Sequence, residues 1–422
     1  MTYQEVLDFL YPLHRFGIKP GLDRMYHLLD LLGLPHKRMG VVVHIAGTNG
    51  KGSVAAALAS IFQAAGLKTA LYTSPHLVDF TERIRINGTK IPREKVAHYC
   101  SLLKEGVIES ASTFFEATTA IAFAWFADEG VEVSIIETGM GGRLDATNVL
   151  DSCYAVISTI GMDHTEWLGG TLSMIAAEKA AIIKKGCRVF TAVSEPEAFL
   201  PIRKRAELQD VPVSVAGKDA VGQVVSAELG MLVMDVRTAS GYYPGLKVPL
   251  TGSFHASGVV LAVMVAENAG IAAEHISSGL EQLLLTGYRA RLEKIGEHPM
   301  VLLDVSHNPD GMRETVTALL SFRHAYKRIN VIFGLASDKD VPAFLRELLR
   351  LDCTFFPVNI PSERSVPAGE LAFLCRKEGA QATGFTTGRE ALCYLKKKAG
   401  ADDLIFVTGS FYLAGDIIAA GI

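Results

Sequence analysis

Short apolar runs alternate with segments that favour helices along the first part of the chain. The run at 41–45 is typical of a buried strand in a parallel sheet, and a glycine-rich turn follows it. The segment 54–59 after that turn reads as the opening of a helix. The pattern continues and predicts strands at 68–73, 132–137 and 154–160 and a helix at 116–128. This alternation predicts a mostly parallel sheet wrapped in helices.

Three segments depart from this alternation. The polar segment 80–92 predicts a loop. The first forty residues predict helices broken at Gly17 and Gly33. The stretch 211–250 alternates valine, glycine and polar residues, which favours an antiparallel hairpin added to the main sheet.

A second series of strands and helices begins at residue 300. It predicts strands at 300–304, 329–333 and 404–408 and helices at 312–321 and 341–351. Because 422 residues exceed what one hydrophobic core usually supports, we expect two domains. We place their boundary at about residue 288, which gives a larger α/β domain at 1–288 and a smaller one at 289–422.

The composition narrows the class of protein. The chain is 49% hydrophobic and 20% charged, as is typical of a soluble globular protein. A net charge of −4 without a dense run of Lys and Arg argues against a nucleic-acid partner. The longest apolar stretch, 259–266, is too short to span a membrane, and the first residues lack a signal-peptide pattern. Six scattered cysteines fit a reducing compartment, so we expect a cytoplasmic protein, and a monomer.

The glycine-rich turn at 47–53 carries the strongest chemical signal. Successive backbone N–H groups in such a turn can point at one anion, and the following helix N-terminus and Lys51 add positive charge. The spacing departs from the common Walker pattern, because Ile45 stands where the first glycine would fall and Gly52 separates Lys51 from Ser53. We interpret the turn as a cradle for a nucleoside triphosphate, with Ser53 placed to reach Mg²⁺.

Polar side chains stand at the ends of the predicted strands. Lys51, Ser74, Glu137 and His164 occupy such positions, and the carboxyl ends of parallel strands meet at one edge of a sheet, where ligands bind. One carboxylate, one imidazole and hydroxyls beside a phosphate loop suit Mg²⁺ that is held partly by protein and partly by phosphate. Lys179 lies on an otherwise apolar helix face, where a snorkelling surface lysine and a chemically modified, functional lysine both remain open interpretations.

Seven segments along the chain carry a family resemblance. They are 47–53, 72–77, 137–149, 161–169, 178–179, 304–311 and 408–410. In composition and order they resemble the folylpolyglutamate synthase/dihydrofolate synthase family of the Mur ligase superfamily. The resemblance implies an α/β enzyme with a P-loop, Mur-ligase-like central domain on a mostly parallel sheet and a smaller, Rossmann-like C-terminal domain.

The resemblance also implies a cofactor site. The residues expected to hold ATP are Asn49, Gly50, Lys51, Gly52, Ser53, Arg291 and Asp304. The residues expected to bind Mg²⁺ are Ser74, Glu137 and His164, and K⁺ is a further candidate ion.

Catalytic and substrate-binding residues are implied in the same way. Lys51, Lys179 and His307 are the expected catalytic residues. Lys179 matches the carbamylated lysine of the family, in which CO₂ converts a neutral amine into a carboxylate that can help bind metal. Thr113, Phe115 and Asp145 match the site of 7,8-dihydropteroate in members that also use this substrate.

Two places depart from the family pattern. The family usually carries a Gln and an adenine-side Asn where this chain has His255 and Gly258. The usual Trp-Pro-Gly-Arg before the second domain reads Tyr288-Arg289-Ala290-Arg291. The departures concern the adenine contacts, whereas the phosphate and metal residues follow the pattern.

The reaction implied is the ATP-dependent ligation of L-glutamate to a folate, and also to dihydropteroate, through an acyl phosphate. A cell-wall Mur-type ligase is an alternative, although only about forty residues precede the phosphate loop here, and such ligases need a whole domain of about a hundred residues there. A regulator that binds ATP without turnover is the second alternative, motivated by His255 and Gly258.

Overall fold

The computed structural model describes residues 1–16 and 21–421, so the helix break predicted at Gly17 lies outside the described residues. Gly33 follows the second helix with a φ of +70°, as expected of a residue that ends a helix. The strands are β1 (Val41–Ala46), β2 (Thr69–Tyr72), β3 (Ile84–Ile86), β4 (Thr89–Lys90), β5 (Val133–Glu137), β6 (Tyr154–Ile157), β7 (Arg188–Thr191), β8 (Val213–Val215), β9 (Ala220–Glu228), β10 (Met231–Thr238), β11 (Tyr242–Val248), β12 (Glu293–Glu297), β13 (Met300–Leu303), β14 (Ile329–Phe333), β15 (Thr354–Pro357) and β16 (Leu404–Thr408).

The helices fill most of the connections between these strands. They are α1 (Tyr3–Leu10), α2 (Asp23–Leu31), α3 (Lys51–Ala64), α4 (Arg93–Glu109), α5 (Phe114–Asp128), α6 (Thr165–Leu168), α7 (Leu172–Ala180), α8 (Pro196–Gln209), α9 (Ala256–Asn268), α10 (Ala273–Glu281), α11 (Pro309–Ser321), α12 (Val341–Leu348), α13 (Ala368–Lys377), α14 (Gly388–Lys398) and α15 (Phe411–Ala419).

The first domain is built on an eight-stranded sheet of order β4-β3-β2-β5-β1-β6-β7-β8. The six strands from β2 to β8 in this order pair in parallel, and β3 and β4 add an antiparallel edge. The predicted fold class, a mostly parallel sheet wrapped in helices, is therefore confirmed. The carboxyl ends of β1, β5 and β6 lie side by side at the centre, where a ligand site is expected.

The loop predicted at 80–92 is wrong. This segment contains a 3-10 helix at Phe80–Arg83 followed by the hairpin β3–β4. Ile84 and Ile86 alternate with Arg85 so that one face of β3 is apolar, and Asn87-Gly88 forms the tight turn with positive φ at both residues. This alternation covers only three residues, and the polar residues around it make it hard to recognise in the sequence.

The structure at 211–250 differs from the predicted hairpin, because it contains four strands in two sheets. Val213–Val215 extends the main sheet as a parallel edge strand. β9, β10 and β11 instead form a separate antiparallel sheet of three strands, which packs its apolar face against α9.

The C-terminal domain contains a five-stranded sheet of order β12-β13-β16-β14-β15. All pairs are parallel except β12–β13. The predicted strands at 329–333 and 404–408 agree with the structure residue for residue, and α12 ends at Leu348 instead of residue 351.

Alternate residues of each central strand enter different cores. Val43 and Ile45 pack with α3 and α9 on one side of the main sheet, whereas Val42 packs with α5 on the other. Leu302 and Val301 divide in the same way in the second domain. Such burial on both faces explains why the strands read as continuous apolar runs.

Candidate active site

A cavity of about 850 Å³ lies between the two domains, beyond the carboxyl ends of β1, β5 and β6. It brings together predicted residues from both domains. Those that line it are Asn49, Gly50, Lys51, Gly52, Ser53, Ser74, Glu137, His164, Lys179, Arg291, Asp304 and His307. The structure therefore places the residues predicted to hold ATP and metal, and those predicted to be catalytic, around one space.

The phosphate loop joins β1 to α3, which begins at Lys51. Gly47 must be a glycine, because a Cβ there would meet Ser158 Oγ, and Gly50 has a φ of +82° just before the helix. The Lys51 ammonium donates to the backbone oxygens of Gly47 and Thr48, at 3.1 and 3.3 Å. The lysine thus curls over its own loop, where it can meet the phosphates of a nucleotide.

Gly52, the residue that interrupts the Walker spacing, lets other side chains approach the loop. A Cβ built on Gly52 would lie 3.5 Å from the Tyr288 ring and 3.9 Å from Glu137 Oε2. The Ser53 and Tyr288 hydroxyls are hydrogen-bonded at 2.8 Å. Tyr288 of the altered family segment therefore covers the hydroxyl that was predicted to reach Mg²⁺.

Glu137 presents a buried carboxylate to the cavity. Burial raises the pKa of its carboxyl, and the charge of Lys51 and the Ser74 N–H oppose that rise. The Ser74 N–H donates to Oε2 at 3.2 Å. Oε1 has no hydrogen-bond partner among residues 1–16 and 21–421, so this oxygen can ligate a cation.

The donors near Glu137 fit a magnesium ion that is shared with phosphate. His164 is the N-cap residue before α6 and lies in the left-handed region, with a φ of +52°. Its side chain lines the cavity and is 38% exposed. In the described part of the chain, no group of three or more His, Cys, Asp and Glu side chains could hold a metal ion alone. A carboxylate, an imidazole and the Ser74 hydroxyl still suit Mg²⁺, which commonly takes its remaining ligands from phosphate and water.

Lys179 is buried inside the cavity wall and is not a surface lysine. Its Nζ donates to the Gly47 backbone oxygen at 2.8 Å, the same oxygen that accepts from Lys51. Burial, and then the charge of Lys51, lowers the pKa of the Lys179 ammonium to about 7. A large fraction of the side chain is therefore the neutral amine at neutral pH.

The C-terminal domain contributes the opposite wall. The Asp304 carboxylate is buried and accepts the backbone N–H groups of Ser306 and Leu292, at 2.7 and 3.2 Å. His307 Nδ1 lies 3.0 Å from the Val305 oxygen, and burial lowers the pKa of the ring to about 4. Asp304 thus shapes the loop that presents a neutral His307 to the cavity.

Asn49 and three residues that were not among the predicted site residues connect the two walls. The side-chain amides of Asn49 and Asn308 bond each other in both directions, at 3.2 and 3.0 Å. Asp163 accepts from Asn308 Nδ2 at 3.1 Å and from Lys339 Nζ at 3.0 Å. Asp163 and Asn308 stand inside recognised motifs, but no pattern around Lys339 indicates its role.

Thr113, Phe115 and Asp145 do not line the cavity. Thr113 caps α5 in a capping box with Glu116, and Asp145 Oδ2 accepts the Met140 N–H at 2.8 Å. Phe115 packs against Gly139, where a Cβ would lie 2.6 Å from the ring. Phe115 and Asp145 therefore lie behind the wall formed by residues 139 and 140. The role of all three residues in substrate binding stays a prediction.

Comparison with known proteins identifies the family to which this architecture belongs. The chain matches the Mur ligase middle domain over residues 45–266 and the Mur ligase, glutamate ligase domain over residues 290–411. The dihydrofolate synthase/folylpolyglutamate synthase of Bacillus subtilis is 33% identical over 99% of this chain and 98% of its own length.

Solved structures agree with these matches. The Escherichia coli FolC in complex with DHPP and ADP is 28% identical, with a TM-score of 0.90 over 100% of this chain and 97% of that one. The bifunctional folylpolyglutamate synthase/dihydrofolate synthase of Yersinia pestis, complexed with AMPPNP and a Mn ion, is 29% identical, with a TM-score of 0.87 over 100% of this chain and 98% of that one. The chain belongs to the dihydrofolate synthase/folylpolyglutamate synthase family of Mur ligases.

Proposed function

We propose that this chain ligates L-glutamate to a folate, and also to 7,8-dihydropteroate, with ATP converted to ADP and phosphate through an acyl phosphate. One observation carries the proposal. Lys51, Glu137 and His164 of the first domain face Arg291 and His307 of the second across one cavity. A phosphate loop, a cation site and a second wall are the parts that carboxylate activation needs.

The chemistry requires ATP because a carboxylate does not condense with an amine near neutral pH. Transfer of the γ-phosphoryl group to the acceptor carboxylate gives an acyl phosphate and ADP. The amine of glutamate then attacks the acyl carbon, the amide bond forms, and inorganic phosphate leaves. Such a transfer depends on positioning and electrostatics more than on covalent catalysis by the protein.

Individual residues have defined tasks in this sequence. Lys51 moves from the backbone oxygens of its own loop to the transferred phosphate, and the loop N–H groups hold the neighbouring phosphates. Glu137, His164 and Ser74 would hold Mg²⁺, which supplies charge neutralisation at the phosphates. K⁺ stays a prediction.

Lys179 is proposed to react with CO₂ to form a carbamate. The reaction needs a neutral amine, and the lowered pKa of this buried side chain supplies one. The carbamate would place a negative charge beside Lys51 where the reacting amine is neutral, and would thereby favour a cation in the same place.

The acceptor is proposed to bind on the side of residues 139 and 140. Both line the cavity, Phe115 packs against Gly139, and Asp145 holds the Met140 N–H. A small movement of this wall would bring Thr113, Phe115 and Asp145 into contact with a pteroate. This placement supports dihydropteroate as a second acceptor.

The remaining assignments follow the sequence. We place the domain boundary near residue 288, between the two sheets, and infer a monomer. The six cysteines are free, which agrees with a reducing compartment such as the cytoplasm. Across the described ranges, no helix combines the length and the apolar composition that crossing a membrane requires.

Product analysis with separate acceptors tests the proposal. Purified protein is given ATP, Mg²⁺ and L-glutamate with dihydropteroate, with tetrahydrofolate or with a UDP-sugar acceptor of the kind that cell-wall Mur ligases use, and products are separated by mass. Glutamylated product from both acceptors supports the bifunctional assignment, and product from tetrahydrofolate alone removes dihydropteroate. Product only from a UDP-sugar acceptor would support the cell-wall ligase, and ATP binding without product would support the regulator.

A further inference from the structure

The cavity continues from the phosphate loop to the start of α9, in a region that we call the base end. Its lining residues are Ser253, Phe254, His255, Ser257, Gly258 and Leu261. α9 lies beside the phosphate-loop helix here, since a Cβ built on Gly258 would be 3.2 Å from Val54 Cγ2. This region is therefore close enough to residues 47–53 to receive the base of a nucleotide whose phosphates lie there, as the proposed function requires.

The side chains of the base end have no fixed hydrogen-bond direction. The hydroxyls of Ser253 and Ser257 rotate, so each can donate or accept. His255 is 5% exposed, and burial lowers the pKa of its ring to about 3, which leaves it neutral. Its buried Nε2 has no partner among the described residues, so no protein group fixes the tautomer through that atom. Because Nε2 itself is buried, a neutral imidazole can offer a base only its Nδ1, as a donor or an acceptor according to the tautomer.

Apart from the charged groups at the phosphate loop and at the proposed metal and catalytic positions, the charged residues that line the cavity are engaged elsewhere or exposed. Arg291 lies over the Tyr288 and Phe411 rings, and the Asp304 carboxylate accepts two backbone N–H groups. Arg313 is paired with two carboxylates. The side chains of Glu195 and Glu314 are open to solvent. None of these groups is held so as to read the edge of a base.

Adenine and the 6-oxopurines differ at position 6, where adenine donates through its amino group and a 6-oxopurine accepts through O6. A site rejects one of them strongly only when a fixed polar group would be left unpaired. We propose that this site discriminates weakly between them, so that ITP serves beside ATP as the phosphoryl donor. The inference rests on the proposed ligase activity and extends it to 6-oxopurine triphosphates.

The chemical step is the same for either nucleotide. The bond between the γ-phosphorus and the bridging oxygen of the β-phosphate breaks, and a bond from the γ-phosphorus to the acceptor carboxylate oxygen forms. IDP leaves in place of ADP. The phosphate loop contacts only the phosphates, so it does not distinguish the bases.

The test compares kcat/KM for ATP and ITP in the ligation of glutamate to tetrahydrofolate. An ATP preference of about tenfold or less supports the inference, and a larger preference overturns it. No ligation with either nucleotide would overturn the proposed function instead, so the two failures are distinguishable.

Two variants at Gly258 test whether the weak discrimination comes from the lack of a fixed hydrogen-bonding group. Gly258→Asn adds an amide that can pair with N6 and N7 of adenine but not with both O6 and N7 of hypoxanthine, so the ATP preference should rise by about tenfold or more. Gly258→Ala adds only a Cβ against Val54 and should leave the preference within about twofold of the wild type. Equal changes in both variants would overturn the hydrogen-bond explanation. If Gly258→Asn does not fold, the wild-type ratio decides alone.

Discussion

Asp163 and Lys339 form an ion pair across the interface between the two domains, with 3.0 Å between Oδ1 and Nζ, and each side chain is only 12% exposed. Oδ2 accepts from Asn308, which also bonds Asn49 of the phosphate loop. Asp163 immediately precedes His164. The ion pair therefore connects the C-terminal domain to the phosphate loop and to the proposed metal site.

Loss of this ion pair should weaken catalysis more than nucleotide binding. In Lys339→Met the C-terminal wall loses its anchor on Asp163, and misplacement by about 1 Å lowers rates by about 100-fold. We expect kcat/KM for glutamate ligation to fall by about 10-fold to 100-fold, while Kd for ATP, measured by calorimetry, changes by a smaller factor because Lys51 and the loop N–H groups remain in place.

The matched control is Lys294→Met, which breaks the exposed pair between Lys294 and Glu297 in the same domain. Exposed pairs contribute about 0–1 kcal/mol, so this variant should keep full activity. Equal losses in the two variants, or an unchanged kcat/KM in Lys339→Met, would contradict the role given to the interdomain pair.

Lys51→Ala should abolish ligation without unfolding the protein. The ammonium now bonds only backbone oxygens of its own loop, so its removal costs the fold little. Loss of a charge that stabilises the transferred phosphate should lower kcat by at least about 10²-fold. Lys68→Ala, at the partly exposed pair with Glu129 and away from the cavity lining, is the control. Ligation at the rate of this control would remove Lys51 from the mechanism.

Glu137→Gln separates metal binding from stability. The amide keeps an acceptor for the Ser74 N–H but carries no charge, so ligation should fall by at least about 10²-fold. Because burial raises the pKa of Glu137 in the folded protein, its favourable contribution is present at low pH and is lost as pH rises through the folded pKa. Without metal and nucleotide, Glu137→Gln should gain stability relative to the wild type as pH rises from 4 to 8.

Urea unfolding of both proteins at several pH values measures this difference. A wild type that gains stability relative to Glu137→Gln as pH rises would show that the folded protein favours the carboxylate. That outcome would contradict the claim that burial raises the pKa of Glu137 when no cation is bound.

Carbamylation of Lys179 should depend on pH. An ordinary lysine amine has a pKa of about 10.4, whereas burial beside Lys51 lowers that of Lys179 to about 7. In bicarbonate, native mass spectrometry should show one CO₂ adduct that increases as pH rises from 6 to 8. Lys179→Met should lack it. A wild type without the adduct at saturating bicarbonate, or an equal adduct in the variant, would return Lys179 to an unmodified buried lysine.

Much of the site is readable from local sequence. The phosphate loop lies between a strand and a helix that are each visible as apolar runs. Ser74 follows one predicted strand, and Glu137 is the last residue of another. Parallel pairing of β2 with β5 and of β5 with β1 then brings these residues to one edge of the sheet. The order of elements along the chain and one rule of sheet topology are therefore enough to predict the first wall of the cavity.

The rest depends on contacts between distant segments. Asn49 and Asn308 are 259 residues apart in the chain, and Asp163 and Lys339 are 176 apart. No periodicity connects such residues, because their contact depends on how the two domains pack. The hairpin at Ile84–Lys90 was missed for a local reason, since β4 has only two residues and both are polar.

The most direct test of the central claim measures whether ADP release requires both ligation substrates. In a steady-state assay with ATP and Mg²⁺, the account predicts ADP release only when tetrahydrofolate and L-glutamate are both present, with one glutamylated product formed per ADP. ADP release that ignores either substrate, or ATP binding with no turnover on the complete mixture, would contradict it.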